Sequence, residues 1–213
     1  MSNRYRGTTL EGNAVEVEVD EERIVAVEEI AADGALPLIA PPLVDLQHNG
    51  AKHLAFNRVH EAPETLETVA RHALRHGVGR LLATITTQAY EDSLESLKAI
   101  DQQLKADPFL ARCYPGIFFE GNYMSAEYGW RGVHPEQFMR DPSWVQWEEL
   151  YKASGQRIVK FNIDPSRSGA MQTIRAAAAA GILVSMGHCG PDPETINAVV
   201  EAGATLVPHL GNG

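Results

Sequence analysis

Three residues in this sequence stand behind apolar runs and carry side chains that bind metal ions. They are Glu120 after Gly-Ile-Phe-Phe, His188 after Ile-Leu-Val-Ser-Met-Gly and His209 after Thr-Leu-Val-Pro. Each run reads as a strand, so three separate strands would deliver one carboxylate and two imidazoles to a common rim. Such a set matches the ligands of a catalytic zinc site that keeps one position open for water. A divalent ion there would lower the pKa of that water towards about 7 and polarise a substrate carbonyl. Residue type and spacing alone leave the competing reading open, in which each histidine is a hydrogen-bonded core residue.

The elements that must position these groups are legible as changes of period. Residues 13–30 alternate apolar and polar side chains around the acidic turn Asp-Glu-Glu-Arg, which predicts a β-hairpin. A new unit is expected near residue 38, dividing the chain into residues 1–38, part of a small β-sandwich-like domain, and residues 39–213. LPLIAPPLVDL reads as a buried strand ending at Gln47 to Gly50. Helices are predicted at about 62–76, 90–105 and 143–153, and in MQTIRAAAAAG and PETINAVVEAG. Strands are predicted in RLLATITT, YPGIFFEG, RIVKFNID, GILVSMGH and ATLVPH. Six apolar strands alternating with helices imply a parallel sheet covered on both faces, an α/β fold.

A doubly wound sheet and a (β/α)8 barrel both predict this alternation. The residues at the strand ends favour the barrel: Gln47 and Asn49, Thr86 and Thr87, Glu120, Asn162 and Asp164, His188, and His209 with Asn212. Barrels build their sites around the whole C-terminal rim, whereas an open sheet concentrates them at one crevice. Six of eight strands make an incomplete TIM-like barrel of the metal-dependent hydrolase type. The chain is therefore expected to be truncated, to fold poorly alone because two parallel edges lie open, and to be inactive by itself. A sharp two-state melt of a monomeric 213-residue chain would contradict that expectation.

Composition excludes other classes. With 18 Lys and Arg against 28 Asp and Glu the formal charge is −10, and no basic run forms a stripe for nucleic acid or an anionic membrane. Two cysteines, Cys113 and Cys189, are too few for a disulfide framework, and the start has no apolar leader, so a reducing cytoplasm is expected. The longest apolar windows stop short of the roughly 18–20 residues that cross a bilayer.

Four blocks resemble the N-acetylglucosamine-6-phosphate deacetylase family of the amidohydrolase superfamily. LVDLQHNG at 43–50 resembles the first-strand motif, in which Gln and Asn replace the His-x-His pair of much of the superfamily. GIFFEGNYMS at 116–125 resembles the H-L-E-G-P segment and GVHPEQFMRDP at 132–142 the G-A-H-P segment. VSMGHC and VPHLGNG resemble the paired V-S-x-G-H and H-L-x-N-A blocks. The resemblance implies a hydrolase of amino-sugar metabolism that releases acetate from N-acetylglucosamine 6-phosphate. It implies one divalent metal held by Glu120, His188 and His209, most naturally zinc, with iron or cobalt as alternatives. It places Val133, His134, Asn212 and Gly213 at the substrate, Gln47 and Asn49 along the site, and the catalytic Asp beyond Gly213. A homodimer is implied for the full-length protein.

Departures accompany the resemblance. Asn122 replaces the Pro after Glu-Gly, the loop from Glu120 to Gly132 is about two residues longer, and FNIDPS only loosely represents the T-L-A-P-E block. They motivate an alternative substrate, another N-acyl sugar or a cyclic amide, and a third reading as a non-catalytic fragment or homologue. Lys160 corresponds to a lysine that bridges two metals elsewhere in the superfamily. Without His-x-His it reads instead as core-lining or rim. Cys189 and Cys113 read as packing residues.

Overall fold

A computed structural model describes residues 2–32 and 34–211. The chain divides into two compact units, Met1–Pro42 and Leu43–Gly213. In the first, β1 (Asn3–Thr8), β2 (Ala14–Asp20) and β3 (Arg23–Glu29) form an antiparallel sheet in sequence order. The expected hairpin is β2–β3, turning through Glu21 at φ +55°. Strand β1 is not legible in the sequence, because its residues are mostly exposed and lack apolar alternation. What fixes it is cross-strand chemistry: Arg4 and Arg6 lie opposite Glu18 and Glu16 and donate to their carboxylates at 2.8–3.2 Å.

The second unit begins with β4 (Leu43–His48) and a short hairpin, β5 (Gly50–Ala51) with β6 (Leu54–Ala55). Then follow α1 (Thr65–Arg75), β7 (Val78–Ile85), α2 (Tyr90–Ala106), α3 (Pro108–Cys113), β8 (Gly116–Phe119) and α4 (Trp144–Ala153). The chain continues through β9 (Ile158–Ile163), α5 (Ala170–Ala179), β10 (Leu183–Met186), α6 (Pro193–Glu201) and β11 (Ala204–Leu206). All pairings in the main sheet are parallel, in the order β11-β10-β9-β8-β7-β4. That order never reverses, so the sheet has no switch point of the doubly wound kind; these are six strands of an incomplete (β/α)8 barrel.

Local chemistry sets the helix starts. The Asp192 carboxylate accepts from the Thr195 amide at 2.7 Å ahead of Pro193, and Asp107 accepts from Phe109 at 2.8 Å ahead of Pro108. Helix α3, absent from the sequence reading, has one apolar turn and therefore too little period to detect.

Strand β4 pairs only with β7 and so forms one of the two open parallel edges expected of six strands out of eight, which is where Leu43, Val44 and Leu46 are 66%, 58% and 49% exposed. Among the described residues no helix is long and apolar enough to cross a membrane.

The outward face of the sheet packs against the helices. Phe161 lies 4.3 Å from Trp147 of α4 between ring centroids, with Phe119 and Tyr123 alongside. Burying each such ring contributes about 2–3 kcal/mol. The inward face carries Thr84, Phe118, Lys160, Asn162 and Ser185. Ile117 pairs with Ile158 but Phe118 pairs with Lys160, so Val159 is an extra residue that turns Lys160 inward.

Candidate metal centre

The Glu120 amide donates to the Ile85 carbonyl at 3.0 Å, extending the β7–β8 ladder by one residue and delivering the side chain inward. The carboxylate is buried, 2% exposed, and Oε1 is a point of convergence. Gln47 Nε2 donates to it at 2.8 Å, His209 Nε2 lies at 3.1 Å and His188 Nε2 at 3.6 Å. The imidazole of His134 stands 4.4 Å from that of His188, and His188 4.8 Å from His209, between centroids. Single ligand atoms of Glu120, His134 and His188 fall within 4.8 Å of one another. Strands β8, β10 and β11 thus bring three predicted residues together, and the loop after β8 adds His134 as a fourth neighbour.

Both rim histidines sit in left-handed backbone, His188 at φ +56° and His209 at φ +36°. That region is costly for a residue with a Cβ, and such positions cluster at functional sites. His188 Nδ1 is 3.0 Å from the Trp130 carbonyl, an acceptor only, so Nδ1 carries the proton and Nε2 turns towards Glu120. His134 Nδ1 is 2.9 Å from Thr87 Oγ1.

Charge follows this geometry. Burial pushes the Glu120 carboxyl up, but the imidazoles of His188 and His209 beside it outweigh this and hold it below the usual range. The neighbouring Glu120 carboxylate raises His188. Burial, reinforced by His188, lowers His134 to about 4, so it is neutral at neutral pH. One ionised carboxylate with convergent imidazole nitrogens suits a divalent, borderline-soft cation, which would displace the proton shared among them.

Supporting groups lie one layer out. Asn162 Nδ2 donates to the Gly187 carbonyl at 3.1 Å and Ser185 Oγ donates to Asn162 Oδ1 at 3.1 Å, fixing the residue before His188. Asn57, which sequence reading did not single out, donates to the Thr86 carbonyl at 3.2 Å and accepts from the Thr86 amide at 2.9 Å. No periodicity marks it, because its role arises only when residues 29 positions apart meet. Asn122, where the family pattern has Pro, is 2% exposed and donates to the carbonyls of Gln88 at 2.6 Å and Phe138 at 2.8 Å. It therefore ties the loops on either side of His134.

Other predicted residues are placed differently. Asn49 is exposed just past β4, so of the Gln47–Asn49 pair the side chain bonded to Glu120 is Gln47. His48 turns away, to Asp45 at 2.8 Å and the edge of Phe56. Val133 is 97% exposed, and Asn212 and Gly213 lie outside the described residues. Lys160 Nζ sits 3.8 Å over the Phe118 ring and 3.4 Å from the Leu46 carbonyl, with burial lowering its pKa. Cys189 is largely buried, which raises its thiol to about 12. His188 and His209 open on a cleft of about 860 Å³, with Trp130, Met186, Ile196 and Leu210 among its walls.

The fold and this cluster define an incomplete (β/α)8 barrel with a Glu/His group able to hold a metal ion at its C-terminal rim. The chain is similar over 90% of its length to N-acetylglucosamine-6-phosphate deacetylases, being 32% identical to that of Bos taurus over 195 residues, 46% of the relative's length. It is 28% identical to the N-acetylgalactosamine-6-phosphate deacetylase of Escherichia coli O157:H7, covering 83% of this chain and 45% of that one. The solved N-acetyl-D-glucosamine-6-phosphate deacetylase of Mycobacterium smegmatis superposes with a TM-score of 0.84 at 25% identity, over all of this chain and 56% of that one. A variant of that enzyme in complex with N-acetyl-D-glucosamine-6-phosphate gives a TM-score of 0.82. No family model matches the sequence. The chain spans about half the length of the curated relatives it matches.

Proposed function

We propose that this chain is the metal-holding part of a deacetylase that hydrolyses N-acetylglucosamine 6-phosphate to glucosamine 6-phosphate and acetate. The observation that carries the reading is the convergence of His188 and His209 on the Glu120 carboxylate, in a chain similar to such enzymes over nine-tenths of its length. Glu120, His188 and His209 would hold one divalent ion, zinc by the softness of the set or else iron or cobalt. Such an ion would supply Lewis-acid activation of the amide carbonyl and of water.

The chain's own residues do the rest by orientation. Gln47 donates to Glu120 Oε1 and leaves the other carboxylate oxygen free. His134, neutral and buried, offers a hydrogen bond to the substrate carbonyl or phosphate. Val133, Asn212 and Gly213 are assigned substrate contacts, and Asn49 a place along the site, on the family resemblance. Water adds to the acyl carbon, the C–N bond breaks, and the amine leaves with a proton passed on by an Asp outside these 213 residues. We assign the protein to the cytoplasm as a homodimer, with residues 1–38 in a small β domain and 39–213 in the barrel. No nucleic-acid or membrane partner is assigned.

Two features favour a second substrate reading: relatives named for N-acetylgalactosamine-6-phosphate, and Asn122 in the loop facing the site. Elemental analysis and acetate release by the full-length protein test both readings. About one metal equivalent, with turnover preferring the glucosamine substrate, is expected. Preference for galactosamine would select the second reading, and metal-free protein after metal supplementation would overturn both.

A further inference from the structure

His188 is gripped on two sides by one loop. The Ser125 amide donates to the His188 carbonyl at 3.1 Å, and five residues on the Trp130 carbonyl accepts from His188 Nδ1 at 3.0 Å. Trp130 has an anchor of its own. A Cβ placed on Gly190 would lie 2.4–3.0 Å from three carbons of the indole, so the ring lies close against a backbone that only glycine leaves bare. Trp130 remains 48% exposed, so Gly190 and the loop itself, rather than a surrounding core, hold it in place. The left-handed φ of His188 is a costly backbone conformation for a residue with a Cβ, so the surrounding contacts must maintain it.

From this geometry we infer that Trp130 is a positioning residue for His188: seating its indole on Gly190 places its carbonyl so that His188 turns Nε2 towards Glu120. The inference rests on the metal-centre reading for its consequence, though not for its geometry. A carbonyl that orients a metal-binding histidine is commonly worth about 10–100-fold in metal affinity.

The test uses the full-length protein with Trp130→Ala, Trp130→Phe and Gly190→Ala. Two quantities are read: zinc affinity by competition with a chromophoric chelator, and the ring Nδ1–H signal of His188 in the metal-free protein by ¹⁵N-histidine NMR. Trp130→Ala and Gly190→Ala should each weaken zinc about 10–100-fold and lose the protected Nδ1–H signal, with Trp130→Phe recovering part of both. The glycine variant reaches the same contact from the other side, so a poorly folded tryptophan variant does not block the test. Wild-type zinc affinity and a retained Nδ1–H in both disruptive variants would overturn the inference. If wild-type protein binds no zinc, the metal-centre reading fails, and the NMR signal alone still decides whether Trp130 orients His188.

Discussion

The two faces of the six-stranded sheet come from the same strands and differ in almost everything else. Outward, Ile85, Phe119, Phe161, Ile163 and Val184 are buried among helix side chains and make no polar bond through their side chains. Inward, Thr84, Lys160, Asn162 and Ser185 are equally buried but polar, and the rim above them holds Glu120 and the histidines. A parallel sheet buried on both faces ordinarily reads as a continuous apolar run. The inward face departs from that rule because a buried polar group is tolerated only with partners, and here the partners lead to the site. Stability is concentrated on one face and chemistry on the other.

Substitutions on each face should separate the two. The largest effect is expected from Glu120→Ala, which removes the point of convergence. Zinc affinity should fall by more than the roughly 100-fold upper range of a supporting residue, with acetate release falling in parallel and the melting temperature little changed. Equal zinc stoichiometry in the variant would break the comparison. On the outer face, Trp147→Ala should cost about 3–5 kcal/mol in denaturant unfolding while leaving zinc affinity in the folded protein intact.

Asp101 is a polar exception in the outer layer. It accepts from Lys105 at 2.6 Å and Arg157 at 3.0 Å, and although burial raises its pKa, these two bonds hold it below the ordinary value. A carboxyl depressed on folding stabilises above its unfolded pKa of about 3.9 and loses that contribution as pH falls through the folded value. Asp101→Asn should therefore cost about 1.5–3 kcal/mol at pH 7, towards the lower end because Lys105 is exposed, and the difference from wild type should shrink as the pH falls below the unfolded value. A difference independent of pH would show that packing, not charge, is at stake.

Smaller still, Asn162→Ala should cost about 1 kcal/mol for each bond lost to Gly187 and Ser185. Unlike Trp147→Ala it should also weaken zinc, since the residue before His188 loses its tether. The least perturbing probe is alkylation. Burial raises Cys189 to about 12 and pushes Cys113 up as well, so both should react with iodoacetamide at pH 8 far more slowly than a free thiol of pKa about 8.5. Rapid labelling of Cys189 would show that the His188 loop opens readily.

The apolar face was the readable part. Residues such as Ile117, Phe161 and Val184 recur in short runs between helical patterns, and that alternation alone anticipates the parallel sheet and the three rim residues at its strand ends. Strand β1 and helix α3 escaped, one because its pairing rests on arginines opposite glutamates, the other because a single turn carries no period. Gln47 was legible as a polar residue at a strand end, whereas His134 came from motif resemblance rather than pattern. Asn122 stood out only as a departure from the family pattern, and Asn57 and Trp130 could not be singled out, since their partners lie 29 and 58 positions away.

What the sequence determined by itself is the alternation of strands and helices and the residue type at each strand end, because hydrophobic period and side-chain chemistry are local properties. What only the tertiary structure decided is which of those ends meet. That β4 pairs with β7, that Glu120 gathers Gln47, His188 and His209, and that a tryptophan on a loop turns one imidazole inward are consequences of strand order and long-range hydrogen bonds. Neither follows from any window of sequence, since the free energy that fixes them comes from contacts between residues tens of positions apart.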